Sequence, residues 1–342
     1  MAEICTVICT SHSPYLFASA REWRQARDER SRQGTLDEAV PLDTPEENER
    51  KFQRCMTALA TLRERLDAAR PDVLLVFGDD QGEQFSFTNF PALGIFVGPG
   101  FEGYKVSRYF GLPIIGTARP TRPKSIEHWV AVKGHPNLAR YLMETLTEDR
   151  FDLAFCTGLA DIEEGMGHAF MRPSYYLRPD YDLPTVPFFI NCYYAPQPTG
   201  LRCYQLGRAV RARIEAWDQD LRVAVIGSGG LWHTPGMADA GLDEEFNRGV
   251  LEAVRLGDAR AMADHFDGWA LGAANVSDRD TEAFAVASGG TGMRGGLGSG
   301  SGETRNWIAA SAVADGAAGT VVDYVPVYDS PVGMAFAHWE RP

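Results

Sequence analysis

The sequence predicts an α/β fold: a single domain over residues 1–342, with a largely parallel central sheet flanked by helices and its active site at the carboxyl ends of the strands. Three observations predict it. Short apolar runs rich in β-branched residues recur, as in Ile4–Thr10, Asp72–Gly78, Val186–Tyr193 and Val223–Ile226, and read as buried strands. Segments with apolar residues at helical spacing lie between them, so strand and helix alternate. Several of the strand candidates empty directly into polar, titratable clusters.

The first strand, Ile4–Thr10, stops at Ser11-His12-Ser13-Pro14 and delivers His12 at its end. Residues at about 17–50 are strongly charged, with alternating signs and few aliphatics, which predicts a solvated, partly helical excursion. Lys51–Ala69 carries Phe52, Met56, Leu59, Leu62 and Leu66 at helical spacing, an amphipathic helix whose stripe is core. The second strand ends in Asp79-Asp80-Gln81-Gly82-Glu83, a costly concentration of carboxylates unless something cationic sits there or the loop is solvated. Residues 86–132 are aromatic- and Gly/Pro-rich, with short strand candidates at Ala92–Val97 and Leu112–Gly116, and read as a pocket wall. His135, before the helix Asn137–Thr147, reads as a cap. Phe151–Cys156 is a third strand leading to the polar loop that holds His168, and Val186–Tyr193 is a fourth. After the helix Cys203–Trp217 comes the fifth strand, which empties into Gly227-Ser228-Gly229-Gly230. His233 follows that turn, and Glu245 stands at the start of a helix. Leu251–Leu271 is helical. The glycine-rich segment at about 287–303 lacks a Walker lysine and is not a phosphate loop. A last helix, Arg305–Ala314, and a last strand, Thr320–Val325, stopped by Pro326, complete the pattern.

The net charge of −13, from 33 basic and 46 acidic residues, argues against nucleic acid or an anionic membrane as partner. No window approaches the roughly 20 apolar residues of a membrane span. The start, Met-Ala-Glu-Ile-Cys-Thr, has no basic or apolar region of a secretion signal. The six cysteines form no CxxC pair, which predicts reduced core residues of a cytoplasmic protein.

Three strand ends thus carry chemistry: His12, the Asp79–Glu83 loop, and His233 with Glu245. In open α/β sheets such ends converge, and one imidazole with one or two carboxylates and open positions is the donor set of a mononuclear non-haem Fe(II) site. Each residue also has a plain reading, as a turn cap, a surface histidine or a charged helical turn.

In Thr10-Ser11-His12-Ser13-Pro14, VLLVFGDDQGEQF, Lys133-Gly134-His135-Pro136, GSGGLWH and Leu242-Asp243-Glu244-Glu245-Phe246-Asn247, the chain resembles the class III extradiol ring-cleavage dioxygenases, related to the catalytic β subunit of protocatechuate 4,5-dioxygenase. The resemblance implies an Fe(II) enzyme, with Mn(II) as the other candidate metal, that opens a catechol-like aromatic or heteroaromatic ring with O2 and needs no organic cofactor. By it His12 is the first metal ligand, Glu245 the carboxylate ligand, His233 the acid/base and His168 a substrate-contacting histidine. Tyr175 and Tyr176 are candidates to wall the ring, and Arg172 or Lys124 to pair with a substrate carboxylate. A homodimer is the default, and some relatives have a small partner subunit. One departure matters: the family's Asn-Asp-His at the second strand end is Asp79-Asp80-Gln81 here. The expectation is that Gln81 binds through its amide oxygen, or that Asp80 or Glu83 takes the place, or that only two protein ligands remain. The missing imidazole motivates two other readings: non-oxidative chemistry such as hydrolysis or decarboxylation in the same pocket, and a non-catalytic binding subunit.

Overall fold

A computed structural model describes residues 1–21, 23, 42–85, 89–106, 128–193, 197–233, 241–272, 300–329 and 331–340. The strand candidate Leu112–Gly116, Lys124, and most of the stretches at about 17–50 and 287–303 lie outside the described residues.

The strands are β1 (Glu3–Thr10), β2 (Val73–Gly78), β3 (Leu93–Phe96), β4 (Gly100–Tyr104), β5 (Trp129–Lys133), β6 (Ala154–Cys156), β7 (Thr185–Ile190), β8 (Arg222–Ser228), β9 (Thr320–Val327) and β10 (Val332–Glu340). Eight form one sheet in the order β6-β3-β7-β2-β8-β1-β10-β9, and β4 pairs with β5 apart from it. The central four, β7-β2-β8-β1, are mutually parallel, so their carboxyl ends share one edge. β3 runs antiparallel to β7, and β10 antiparallel to both β1 and β9.

The helices are α1 (Pro45–Ala69), α2 (Pro136–Glu148), α3 (His168–Leu177), α4 (Gly200–Ala216), α5 (Glu244–Leu256), α6 (Ala259–Gly272) and α7 (Thr304–Val313). They cover both faces of the sheet, which is why the central strands are continuously apolar. Along β8 the side chains alternate: Val223 and Val225 join the core under α2, α4, α5, α6 and α7, whereas Ala224 and Ile226 join the one under α1 and α3. Among the described residues no helix is long and apolar enough to cross a membrane. All six cysteines are free thiols.

The chain departs from the expected elements in several places, and the loop expected at His168 is the start of α3. The acidic PEENER stretch belongs to the first turns of α1, closed by a capping box between Thr44 and Glu47. The helix expected over Leu251–Leu271 is two helices, α5 and α6, divided at Gly257, whose φ of 68° ends the first. Pro326 does not stop the last strand: it lies within β9 opposite Gly333, on the sheet edge where a missing N–H is tolerated. The strand after it, β10, inserts between β9 and β1 and was not expected.

Candidate functional site

The shared edge of the four parallel strands gathers the polar clusters. β1 is followed by His12, β2 by Asp79, Gln81 and Glu83, β7 by Tyr193, and β8 ends at Ser228 and continues to Gly230 and His233. Two residues come from elsewhere: His168 is the first residue of α3, and Glu303 is the N-cap of α7. The donor atoms of His12, His168 and Glu303, all buried, lie within 4.8 Å of one another, a group that can hold a metal ion.

The hydrogen bonds around these three residues select their reactive atoms. Ser228 Oγ gives its hydrogen to the Ala169 carbonyl at 2.5 Å, so it accepts from His12 Nδ1 at 2.9 Å. That leaves the lone pair of His12 on Nε2, 3.2 Å from Glu303 Oε2. Glu83 Oε1 accepts from the His168 backbone N–H at 2.9 Å and from Nδ1 at 2.6 Å, so the free nitrogen of His168 is also Nε2. A carboxylate on the far nitrogen of an imidazole is the arrangement that fixes metal-bound histidines. Electron-rich nitrogen and carboxylate oxygen facing each other at this distance suit a cation beside them. Two imidazoles and one carboxylate match the facial set that holds non-haem Fe(II) with open positions.

Local structure explains the approach of each group. Glu83 sits against the N-terminus of α3, where a negative charge is favoured. A Cβ on Gly167 would stand 2.7 Å from Glu83 Oε2, so only glycine admits that carboxylate. Asn306 donates to the Ser228 carbonyl at 2.8 Å and Trp307 Nε1 to the Gly229 carbonyl at 3.1 Å. Both bonds tie α7 to the end of β8 and aim Glu303 inward instead of at its own helix, whose N-cap it leaves without a side-chain bond.

The charges are unevenly matched. Burial opposes ionisation of Glu303, but His12 and His233 outweigh it and hold the carboxyl well below its ordinary range. Burial likewise opposes Glu83, which His168 and Arg172 bring down to about 2. Burial pulls the His12 imidazole down to about 4 despite Glu303. Asp79 is pushed well above the usual carboxyl range by burial and by the charges of Glu303 and Glu83. Arg172, the guanidinium beside these carboxyl groups, is lowered by burial to about 10.

The structure sorts the residues singled out in the sequence. His12 is in the cluster. His168 is there too, as a candidate ligand, where the resemblance implied a substrate contact. His233 borders it: Nδ1 faces the Leu231 carbonyl at 2.8 Å, and Nε2 lies 3.3 Å from Glu303 Oε1 and 3.1 Å from the Tyr193 hydroxyl. Burial lowers the His233 imidazole, yet Glu303 and the Leu231 carbonyl leave its pKa raised overall. Gln81 reaches the site with its nitrogen, not its oxygen, donating to Asp79 Oδ2 and Glu303 Oε1, each at 3.2 Å.

Asp80 does not reach it. Its oxygens accept from the backbone N–H groups of Gly82, Glu83, Gln84 and Phe85, which folds the loop and occupies them. Glu245 is not brought in either: it is exposed in the first turn of α5, where acidic side chains complement the helix dipole. Arg172 is buried and braces the His12 carbonyl at 3.1 Å, and Tyr176 donates to the Leu16 carbonyl. His135 caps α2 as expected, accepting from the Leu138 N–H at 3.1 Å.

Sequence reasoning missed Glu303 and Tyr193. The signal for Glu303 was an acidic residue at the exit of a glycine run, Gly300-Ser301-Gly302, directly ahead of an apolar helix. Tyr193 follows the apolar strand β7 and carries no motif.

The family model described as "Catalytic LigB subunit of aromatic ring-opening dioxygenase" matches residues 37–335. The chain belongs to this LigB family. Enzymes of the LigB family depend on a metal, in keeping with the His12, His168 and Glu303 cluster. Among curated relatives, a gallate dioxygenase of Pseudomonas putida is 34% identical over 105 residues, 30% of this chain and 29% of its own. A 2,3-dihydroxyphenylpropionate/2,3-dihydroxicinnamic acid 1,2-dioxygenase of Photorhabdus laumondii subsp. laumondii is 26% identical over 241 residues, 69% of this chain and 58% of its own. The chain thus matches less than two thirds of the length of these LigB-type relatives. Among solved structures, an uncharacterized protein from Escherichia coli K12 aligns over 98% of this chain and 99% of its own, at 12% identity and a TM-score of 0.43.

Proposed function

We propose that this LigB-family chain is a ring-opening dioxygenase of the extradiol type, with Fe(II) held by His12, His168 and Glu303 and a catechol-like aromatic as substrate. The convergence of those three residues at the carboxyl edge of the sheet carries the reading. A divalent metal there supplies the Lewis acidity and redox capacity that ring opening by O2 requires.

The protein's own groups do the rest. Ser228 and Glu83 fix both imidazoles with Nε2 free. With Nδ1–H directed at the Leu231 carbonyl, His233 presents Nε2 to take a proton from a substrate hydroxyl and return it later. The buried setting excludes water from the reacting groups. The mapped relatives act on gallate and on 2,3-dihydroxyphenylpropionate by name, so vicinal dihydroxy aromatics of these kinds are the first substrates to try.

The test is O2 uptake by the Fe(II)-loaded chain with catechol, protocatechuate, gallate and 2,3-dihydroxyphenylpropionate, with the yellow ring-opened product followed by absorbance. Uptake and bound iron should be lost together in His12→Ala and Glu303→Gln and kept in Glu245→Ala. An iron-loaded chain that consumes no O2 with any of the four, or undiminished turnover in Glu303→Gln, would sink the proposal and favour non-oxidative chemistry in the same pocket.

A further inference from the structure

A carboxylate offers about four lone-pair positions, and the neighbours of Glu303 engage all but one. On Oε2 the Gly230 N–H donates at 2.7 Å, and the position left over lies on the side of His12 Nε2, 3.2 Å away. On Oε1 two donors arrive, the Tyr193 hydroxyl and the Gln81 amide N–H, the latter at 3.2 Å, beside His233 Nε2 at 3.3 Å. These donors follow β7 and β2, and neither belongs to the group that can hold a metal.

We infer that Tyr193 and Gln81 are positioning residues that reserve Glu303 Oε1, so that Glu303 serves a metal through Oε2 alone. A carboxylate free to turn can offer both oxygens to one cation and fill two of its positions. With Oε1 held, Glu303 takes one, and a further position stays open for a substrate oxygen or O2. The inference gives Gln81 a purpose that an amide-oxygen ligand does not. Its N–H group must point at Glu303, and Asp79 Oδ2, 3.2 Å from the same nitrogen, keeps it turned that way. Tyr193 is buried against the cluster and also stands 3.1 Å from His233 Nε2, so one phenol touches both the carboxylate and the acid/base histidine.

This rests on the metal-site reading above, and the experiment separates the two. Mn(II) serves as the probe: its affinity is read by electron paramagnetic resonance titration, and its coordinated waters by line broadening in water enriched in the magnetic oxygen isotope. Wild type, His12→Ala, Tyr193→Phe, Gln81→Met and the double variant of Tyr193 and Gln81 are compared, with circular dichroism to confirm the fold. Each single positioning variant should weaken Mn(II) by roughly 10-fold, as for other groups that orient metal ligands. The double variant should lose a coordinated water as Glu303 swings to two-oxygen binding. Wild-type affinity and water count in both single variants would overturn the inference while leaving the metal site standing, provided His12→Ala abolishes binding. Failure of the wild-type chain to bind Mn(II), or undiminished binding by His12→Ala, would overturn the metal site and this inference with it. If Tyr193→Phe does not fold, Gln81→Met alone decides, because it changes a half-buried loop residue.

Discussion

Replacing Glu83 by glutamine measures how far His168 depends on its carboxylate partner. Glu83 Oε1 accepts two bonds from His168, at 2.9 Å from the backbone N–H and 2.6 Å from Nδ1. Glutamine has the same shape and can present its amide oxygen to both, so the bonds survive and only the charge is removed. Its nitrogen then meets the Gln81 N–H, whose contact to Oε2 is long at 3.4 Å and cheap to lose. A hydrogen bond to an ionised group contributes about 1.5–3 kcal/mol and one between neutral groups about 0.5–1.5 kcal/mol. The Nδ1 contact therefore weakens by about 1–1.5 kcal/mol. That contact makes Nε2 a stronger donor, and about 1.4 kcal/mol corresponds to a tenfold change in binding. Divalent-metal affinity, measured by calorimetric titration with Mn(II) or with Fe(II) under anaerobic conditions, should fall by about 5- to 10-fold. Glu83→Ala also frees the ring to rotate and should fall further, toward about 100-fold. Wild-type affinity in both variants would refute the view that Glu83 holds His168 in place for a metal.

Gly167→Ala should damage the same pair from the other side. The added Cβ lies 2.7 Å from Glu83 Oε2, so the carboxylate must move off its bonds to His168 at a cost of about 1–3 kcal/mol, visible as a lower melting temperature together with weaker metal binding. Thiol labelling under native conditions should modify Cys156 alone and slowly, because it is partly exposed but its thiol is pushed up to about 11 by burial and by Asp80. Rapid labelling of Cys9, Cys192 or Cys203 in the folded chain would contradict their burial. In the metal-free chain His12 should cost stability on acidification, a contribution that the raised carboxyls of Asp79 and Asp80 oppose over the same range. His12 is lowered from 6.5 to about 4, so between those values the unfolded state binds a proton that the folded state refuses. The loss therefore begins as pH falls below about 6.5 and is complete near pH 4, reaching about 3 kcal/mol at about 1.4 kcal/mol per pH unit. The His12 contribution is the difference between wild type and His12→Gln, and an equal pH dependence of their denaturant midpoints across that window would show that His12 is not buried as neutral imidazole.

The central sheet was legible because burial on both faces leaves a continuous apolar record in β1, β2, β7 and β8, and a polar cluster marks where each of the first two and the last ends. Its far edge was not. Pro326 reads as a terminator, but on an edge strand its missing N–H faces no partner, so β9 runs through it and β10 returns antiparallel. The helices α5 and α6 merge in the sequence because the apolar pattern continues across Gly257. A single glycine with positive φ breaks the helix without breaking the pattern.

At the site, a strand end could be read, but a residue's reach across the edge could not. His12 and His233 follow β1 and β8 directly, and their placement is a property of those strands. The carboxylate is different. Asp243-Glu244-Glu245 has the look of a ligand motif, yet the acids of a first helical turn are explained by the helix dipole, and Glu245 points to solvent. Glu303 precedes α7 in the same way, but the bonds from Asn306 and Trp307 to the end of β8 turn its first turn inward. What distinguishes the two acids is therefore the burial of the helix behind each one. α7 is buried along nearly its whole length, so an acid at its start must lie inside the protein and needs partners there. α5 is amphipathic, with exposed residues through its length, and its acids can face water. The same reasoning reaches the second imidazole. With Gln81 after β2, that strand end supplies Glu83, which draws His168 in from the start of α3. Strand ends and helix starts converge on one edge, so the proposed set of two imidazoles and one carboxylate is assembled from the end of β1 and the starts of α3 and α7.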